Sequence, residues 1–326
     1  MNREELITFI MLLKENQDSS EIYRIKAYTN AIRTLSAFPE HIDIDEFKNT
    51  KYKNIGDRIK QRILFYAGVS DPVDETDVKI KNLTIESISK KESMSEFKKI
   101  SGVGDVTARK WYENGYRDIE SVPTSLMNRT QLIYLKYYKE LETRIPRADI
   151  TYLERELTRH LFSVRMRFLI CGSYRRGKET SGDIDLLVVE NKYVNVIEKI
   201  TSLPGFFKEQ VLSGPKKYRY IINIRGIHRQ IDIELCKEEE FPYAVLYFTG
   251  SGEFNKKCRT AAIRSNFHLN EKWMSYHGPP RNDLKLERAE VHINKDILTV
   301  DKVICTSEED ILKKIGIPYM KPCDRD

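Results

Sequence analysis

Cys171-Gly172-Ser173-Tyr174-Arg175-Arg176-Gly177, Lys178-Glu179-Thr180-Ser181-Gly182-Asp183-Ile184-Asp185 and Leu186-Leu187-Val188-Val189 form one continuous stretch, and its reading decides the fold. The apolar Arg167-Phe168-Leu169-Ile170 ahead of it reads as a strand. Gly172-Ser173 opens a turn and a short basic segment, and a second strand follows with two aspartates at its start. Side chains alternate along a strand, so Asp183 and Asp185 are expected on one face. Two carboxylates this close repel unless a divalent cation lies between them. Hard oxygen ligands suit Mg²⁺, which completes its shell with water and substrate phosphates. The Gly-Ser turn can offer backbone N–H groups and a hydroxyl to a phosphate. These parts together describe a site for metal-assisted nucleotidyl transfer. A lone Asp-x-Asp more often marks a solvated turn; the specificity lies in Gly-Ser, Arg-Arg-Gly and Gly-Asp-x-Asp running in succession into an apolar strand.

The chain has 326 residues, enough for two or three domains with a sizeable core. A net charge of +6 permits nucleic-acid binding without establishing it. The five cysteines (Cys171, Cys236, Cys258, Cys305, Cys323) form no C-x-x-C pair, so they read as free thiols of an intracellular, reducing compartment, with no zinc site. No apolar run approaches the ~20 residues of a membrane span, and the start lacks a leader pattern.

Residues 1–66 read as helical, with Leu6, Ile7, Ile10 and Leu13 on one face and Ile22, Ile25, Tyr28, Ile32, Leu35 and Phe38 on another. A turn at Tyr52-Lys53-Asn54-Ile55-Gly56 precedes a helix from Asp57. The polar stretch 67–93 reads as a linker. Ile100-Ser101-Gly102-Val103-Gly104 between two helices lets the backbone approach a partner closely, and aims helix N–H groups at an anion. Strands are expected near 166–171, 185–190, 207–213, 218–224 and 229–236, with a helix near 193–202. In Gln230-Ile231-Asp232-Ile233-Glu234 the isoleucines face the core, so Asp232 shares the polar face and is the natural third carboxylate. Tyr247-Phe248-Thr249-Gly250-Ser251 leads to a helix on which Asn255 and Arg259 lie one turn apart.

The segment from Gly172 to Asp185 resembles the catalytic segment of the nucleotidyltransferase superfamily, in the form found in family X DNA polymerases of the beta type. The resemblance extends from about residue 5 through the C-terminal residues. It implies an α+β multidomain chain: a helical lyase-like domain with linker (1–82), a helix-hairpin-helix subdomain (83–147), a mixed-sheet nucleotidyltransferase palm (148–238) and an α/β nucleotide-binding lobe (239–326). No phosphopeptide-binding domain is expected ahead of them. By the same resemblance Asp183, Asp185 and Asp232 are the catalytic residues and hold two Mg²⁺, with Mn²⁺ able to substitute. Arg144, Ser173, Arg176 and Gly182 would meet the triphosphate. Tyr247, Phe248 and Gly250 would line the sugar, and Asn255 and Arg259 would check the base pair from the minor groove. The carbonyls of Lys98, Ile100 and Val103 would hold Na⁺ or K⁺ at the second hairpin. In the first hairpin Asn54 stands where glycine is expected, a place that asks for a left-handed backbone.

The implied activity is template-directed gap filling in base excision repair, by a monomer acting on gapped duplex DNA and dNTPs beside repair proteins such as ligase. A template-independent terminal transferase and an inactive DNA-binding repair scaffold are the alternatives. The tight Asn223–His228 turn weighs against the first and the intact aspartates against the second. Three further positions depart from the family. Arginines of the beta type are replaced by Gln230 and Glu234, which should leave Asp185 unpaired. Arg62 occupies the place of the lysine that forms a Schiff base with a 5′-deoxyribose phosphate, and a guanidinium cannot attack an aldehyde. Either the domain keeps only 5′-phosphate binding, through Arg24, Tyr28, Arg58 and Arg62, or a nearby lysine, Lys26 or Lys60, substitutes.

Overall fold

The computed structural model describes residues 1–279, 284–293 and 296–325; the remaining positions of the lobe read at 239–326 lie outside the described residues. The chain forms two compact units, Met1–Leu126 and Met127–Asp326.

The first unit is helical. Helix α1 (Arg3–Glu15) starts on Asn2, whose side chain accepts from the N–H groups of Glu4 and Glu5. Helices α2 (Ile22–Leu35), α3 (Ile44–Asn49) and α4 (Asp57–Tyr66) close with it around Phe9, Ile10, Leu13, Leu35, Phe47 and Ile63. Ile22 departs from its expected stripe: it is 68% exposed, at the first residue of α2.

The stretch read as a linker is corrected. Helix α5 (Glu75–Phe97) is continuous across most of it, so the expected break at 82/83 falls inside a helix. Its buried positions include Asp77, Thr84 and Ser93, while Val78, Leu83 and Ile85 are exposed. No apolar stripe therefore marks it in the sequence.

Helix α6 (Asp105–Glu113) follows the second hairpin, where Gly102 has φ 90° and Gly104 is the N-cap. Phe97 and Trp111 meet edge to face at 5.5 Å and hold the two helices together. In the first hairpin Asn54 is not left-handed: among the described residues only Arg165, Arg225 and Asn266 are non-glycine residues with positive φ. Its side chain instead donates to Thr34 Oγ1 at 3.2 Å.

The second unit begins with α7 (Arg129–Leu141), opened by a reciprocal Asn128–Gln131 cap. It continues through β1 (Ile145–Pro146), α8 (Arg147–Leu161), β2 (Phe168–Ile170), the single turn α9 (Gly172–Arg175), β3 (Thr180–Ser181), β4 (Ile184–Val189), α10 (Val196–Thr201), β5 (Phe207–Ser213), β6 (Lys217–Ile224) and β7 (Ile227–Cys236). Five strands make a mixed sheet in the order β2-β4-β7-β6-β5, in which only β4 and β7 run parallel. Ile184, Leu186, Val188, Ile231 and Ile233 point to one core with Leu153 and Leu157 of α8. The turn between β6 and β7 is two residues long, Arg225 (φ 53°) and Gly226 (φ 91°), as expected of a tight hairpin.

Helices α11 (Phe241–Thr249) and α12 (Gly252–Arg264), strands β8 (Phe267–Leu269), β9 (Met274–Tyr276), β10 (Leu286–Ile293) and β11 (Asp296–Val303), and helix α13 (Glu308–Lys314) complete the chain. Their strands form a sheet in the order β10-β11-β9-β8. Phe254, Cys258, Met274, Ile311 and Leu312 fill the second core.

Candidate active site

The carboxylates meet because β4 and β7 are neighbours in register: Asp185 lies directly opposite Asp232. Asp183 sits one residue ahead of β4, so strand alternation alone does not place it. It is nevertheless close enough to act on both others. Burial pushes the Asp185 carboxyl up to about 7, and the charges of Asp183 and Asp232 add to it against Lys217 and Arg176. Asp183 is raised by burial and then by Asp232. Crowded, partly desolvated carboxylates of this kind are short of positive charge.

Asp232 differs from its neighbours. Arg219 on β6, its direct cross-strand partner, donates from Nε to Oδ1 and from Nη2 to Oδ2, each at 2.6 Å. Gln230 Nε2 donates to the same Oδ1 at 3.1 Å. The arginine that pairs with this site thus comes from a neighbouring strand and holds Asp232, where the sequence pointed only to Gln230 and Glu234. Register signals it: an arginine opposite an aspartate on antiparallel strands shares its face. Glu234 is raised by burial, and its Oε2 is buried without a hydrogen-bond partner.

Among the described residues no three His, Cys, Asp or Glu side chains form a ready-made metal nest. The donor set still fits a hard divalent cation, since it consists of carboxylate oxygens, and burial and neighbouring negative charge raise Asp183 and Asp185.

The turn before β4 is built around a glycine. Gly172 has φ 56°, and a Cβ there would lie 2.2 Å from Asp185 Oδ2. Only glycine satisfies both the backbone and the carboxylate at that place. Ser173 Oγ donates to Ser181 Oγ at 2.8 Å, which ties the turn to β3. Arg144 donates to the Thr180 carbonyl at 2.8 Å, and its Nη1 would sit 3.2 Å from a Cβ on Gly182. Arg176 Nη1 donates to the Thr249 carbonyl at 2.7 Å, beside Gly250 (φ 69°). The phosphate-type residues Arg144, Ser173, Arg176 and Gly182 are therefore gathered at one end of the sheet, with Thr249–Gly250 brought to them.

A buried triad missed by sequence reading supports this wall. Glu308 accepts two bonds from Arg175, at 2.9 and 2.6 Å, and one from Arg325 at 2.5 Å. Arg175 lies 133 residues from Glu308 and Arg325 lies 17 from it, so no local pattern announces the triad. Tyr247 and Phe248 meet edge to face at 5.1 Å. Asn255 Nδ2 donates to the Tyr247 carbonyl at 2.8 Å, and the Arg259 guanidinium lies 5.3 Å from the Tyr247 ring centre. A cleft of about 770 Å³ bordered by Arg165, Val189, Tyr193 and Leu235 lies at the other end of β4 and β7, away from the aspartates.

The first unit carries its own cavity, about 510 Å³, lined by Arg24, Tyr28, Arg58 and Arg62 together with Asn16, Asn54 and Asp74. Arg62 is not a free anchor there. It is buried, donates to Tyr28 Oη and Asp74, and forms an ion pair with the fully buried Asp77 at 2.9 Å. Burial pushes Asp74 up, but Arg62 and the hydrogen bonds from Thr76 together hold the carboxyl below its usual range. No lysine lines the cavity, and Lys60 Nζ is bound to the Thr50 carbonyl at 2.8 Å. At the second hairpin the Ile100 carbonyl accepts from Val103 N–H at 3.0 Å.

Residues 144–238 match the family described as DNA polymerase beta palm, residues 244–326 that of DNA polymerase beta thumb, and residues 95–142 the fingers domain of DNA polymerase lambda. The chain is 26% identical over 340 residues to DNA polymerase lambda of Rattus norvegicus, covering 97% of this chain and 55% of that protein. It is 24% identical over 360 residues to DNA polymerase lambda of Arabidopsis thaliana, covering 100% and 62%. It is also 24% identical over 324 residues to DNA nucleotidylexotransferase of Xenopus laevis, covering 83% and 58%. The chain thus spans little more than half the length of these relatives.

Proposed function

The chain belongs to family X of the DNA polymerases, and on that premise we propose that it fills short gaps in duplex DNA by template-directed nucleotidyl transfer from dNTPs. The observation that carries this reading is the in-register pair Asp185–Asp232 beside the Gly172–Ser173 turn. Asp183, Asp185 and Asp232 would hold two Mg²⁺. Such ions, when bound, stabilise charge on the attacking and leaving oxygens. Arg144, Ser173 and Arg176 orient the triphosphate. The primer 3′-oxygen attacks the α-phosphorus, the bond to the β-phosphate oxygen breaks and pyrophosphate leaves. Asp232, once released by Arg219, would receive the proton of the 3′-oxygen. Tyr247 and Phe248 close on the sugar.

On this reading residues 1–82 and 83–147 grip the DNA, the second hairpin with a monovalent cation at Lys98, Ile100 and Val103. The first unit supplies 5′-phosphate binding through Arg24 and Arg58; Arg62 offers no amine for a lyase step and is itself paired with Asp74 and Asp77. Borohydride treatment on an incised abasic substrate is expected to leave no covalent adduct; a strong adduct abolished by Lys26→Ala or Lys60→Ala would reverse this. The two-residue β6–β7 turn favours templated synthesis over terminal transfer.

Extension on a one-nucleotide gap with a 5′-phosphate, compared with a nick, an open template and a bare single strand, tests the whole reading. The gap should be filled fastest and with the complementary nucleotide. Equal, template-blind addition to the single strand would replace it with terminal transfer.

A further inference from the structure

One of the three aspartates is already held by a cation belonging to the protein. Arg219 grips Asp232 as a two-pronged fork, occupying both carboxylate oxygens at 2.6 Å. Gln230 adds a third donor at 3.1 Å. The arrangement is rigid on both sides. Arg219 and Asp232 face each other across the β6–β7 ladder. Tyr134 on α7 donates to Gln230 Oε1, which leaves the amide nitrogen of Gln230 aimed at Asp232. The Arg219 side chain is mostly buried, at 26% exposure, and that of Asp232 more so, at 13%. Solvent therefore screens the pair only weakly.

With each oxygen of Asp232 already accepting from a guanidinium, a metal ion approaching this carboxylate competes with a bound cation for the same charge. We infer that Arg219 is a positioning residue that holds Asp232 as an internal counter-cation, and that a divalent cation entering the site must displace this fork. The inference rests on the reading that Asp183, Asp185 and Asp232 bind divalent metal.

A purely supporting role for Arg219 makes the opposite forecast. If the arginine merely held Asp232 in its ligand position, removing it would weaken metal binding. If it competes, removing it strengthens metal binding, and does so without DNA or nucleotide present.

The full chain, free of DNA and nucleotide, is titrated with Mn²⁺ and free ion is counted by electron paramagnetic resonance, with circular dichroism verifying the fold. Arg219→Gln should bind Mn²⁺ about tenfold more tightly than wild type, the scale of a charge-assisted bidentate contact. Arg219→Lys keeps the charge but loses the fork, and should bind about threefold more tightly; it carries the test if the glutamine variant does not fold. Unchanged or weaker Mn²⁺ binding by the folded variants overturns the inference. Asp185→Asn separates the two layers. If it loses Mn²⁺ binding while the Arg219 variants match wild type, only the role of Arg219 falls. If it binds Mn²⁺ like wild type, the metal site itself falls.

Discussion

Two clusters of acids and arginines show what charge balance does to a site. In the sheet, three aspartates face one paired arginine, and burial and mutual repulsion push Asp185 up to about 7. In the helical unit, Arg62 stands between Asp74 and the fully buried Asp77, and Asp74 is held down. The first cluster is left short of cations and is poised to take them. The second is closed on itself and has become structural, although it lines a cavity. A residue occupying a family's functional position is thus no guide to its role until its counter-charges are counted.

The largest expected effect breaks the two clusters apart. Asp185→Ala should lower extension by at least about a thousandfold while leaving gapped-DNA binding intact, whereas Arg62→Ala should leave the chemistry and damage the fold. The latter variant strands Asp77 without its cation, which costs roughly 3–5 kcal/mol when a buried pair is broken from one side. Thermal unfolding followed by limited proteolysis locates the loss; a cost under 1 kcal/mol would mean that Arg62 is not structural.

Next comes the turn. Gly172→Ala puts a methyl into Asp185 and forces a left-handed alanine. A loss on the order of 1–3 kcal/mol is expected, with extension at least about a hundredfold down. Wild-type extension by this variant would show that the turn relaxes freely.

The pH dependence sharpens the contrast. Asp185 has a folded pKa near 7, above its unfolded value, so its contribution to stability is complete below pH 3.8 and is lost as pH rises through about 7. Asp74 is shifted downward, so its contribution is present above pH 3.8 and is lost on acidification. Without metal, Asp185→Asn should therefore be more stable than wild type at pH 8 and lose that advantage by pH 4. Thermal melts at the two values measure it; parallel melts would remove the strain assigned to Asp185. The smallest effect belongs to Arg24, exposed and paired with Glu21 at the N-cap of its helix. Arg24→Ala should change stability by no more than about 0.5 kcal/mol, yet weaken binding to a 5′-phosphorylated gap at low salt. Equal affinities with and without the phosphate would take Arg24 out of the DNA contact.

Much of the palm sheet was legible because its residues obey local rules. Ile231 and Ile233 alternate with Asp232, and the strands expected at 207–213 and 229–236 correspond to Phe207–Ser213 and Ile227–Cys236. Helix α5 was not legible, because it buries Asp77, Thr84 and Ser93 and exposes Val78, Leu83 and Ile85. Arg219 was overlooked because its meaning depends on which residue lies across the strand. Glu308 depended on Arg175 and Arg325, which only the folded chain brings together.

The most direct test of the account is extension of a one-nucleotide gapped duplex by wild type and Asp232→Ala at matched DNA occupancy in Mg²⁺. The account predicts that wild type inserts the complementary nucleotide and that the variant, bound equally well, falls by at least about a thousandfold. Extension by the variant within tenfold of wild type would contradict it.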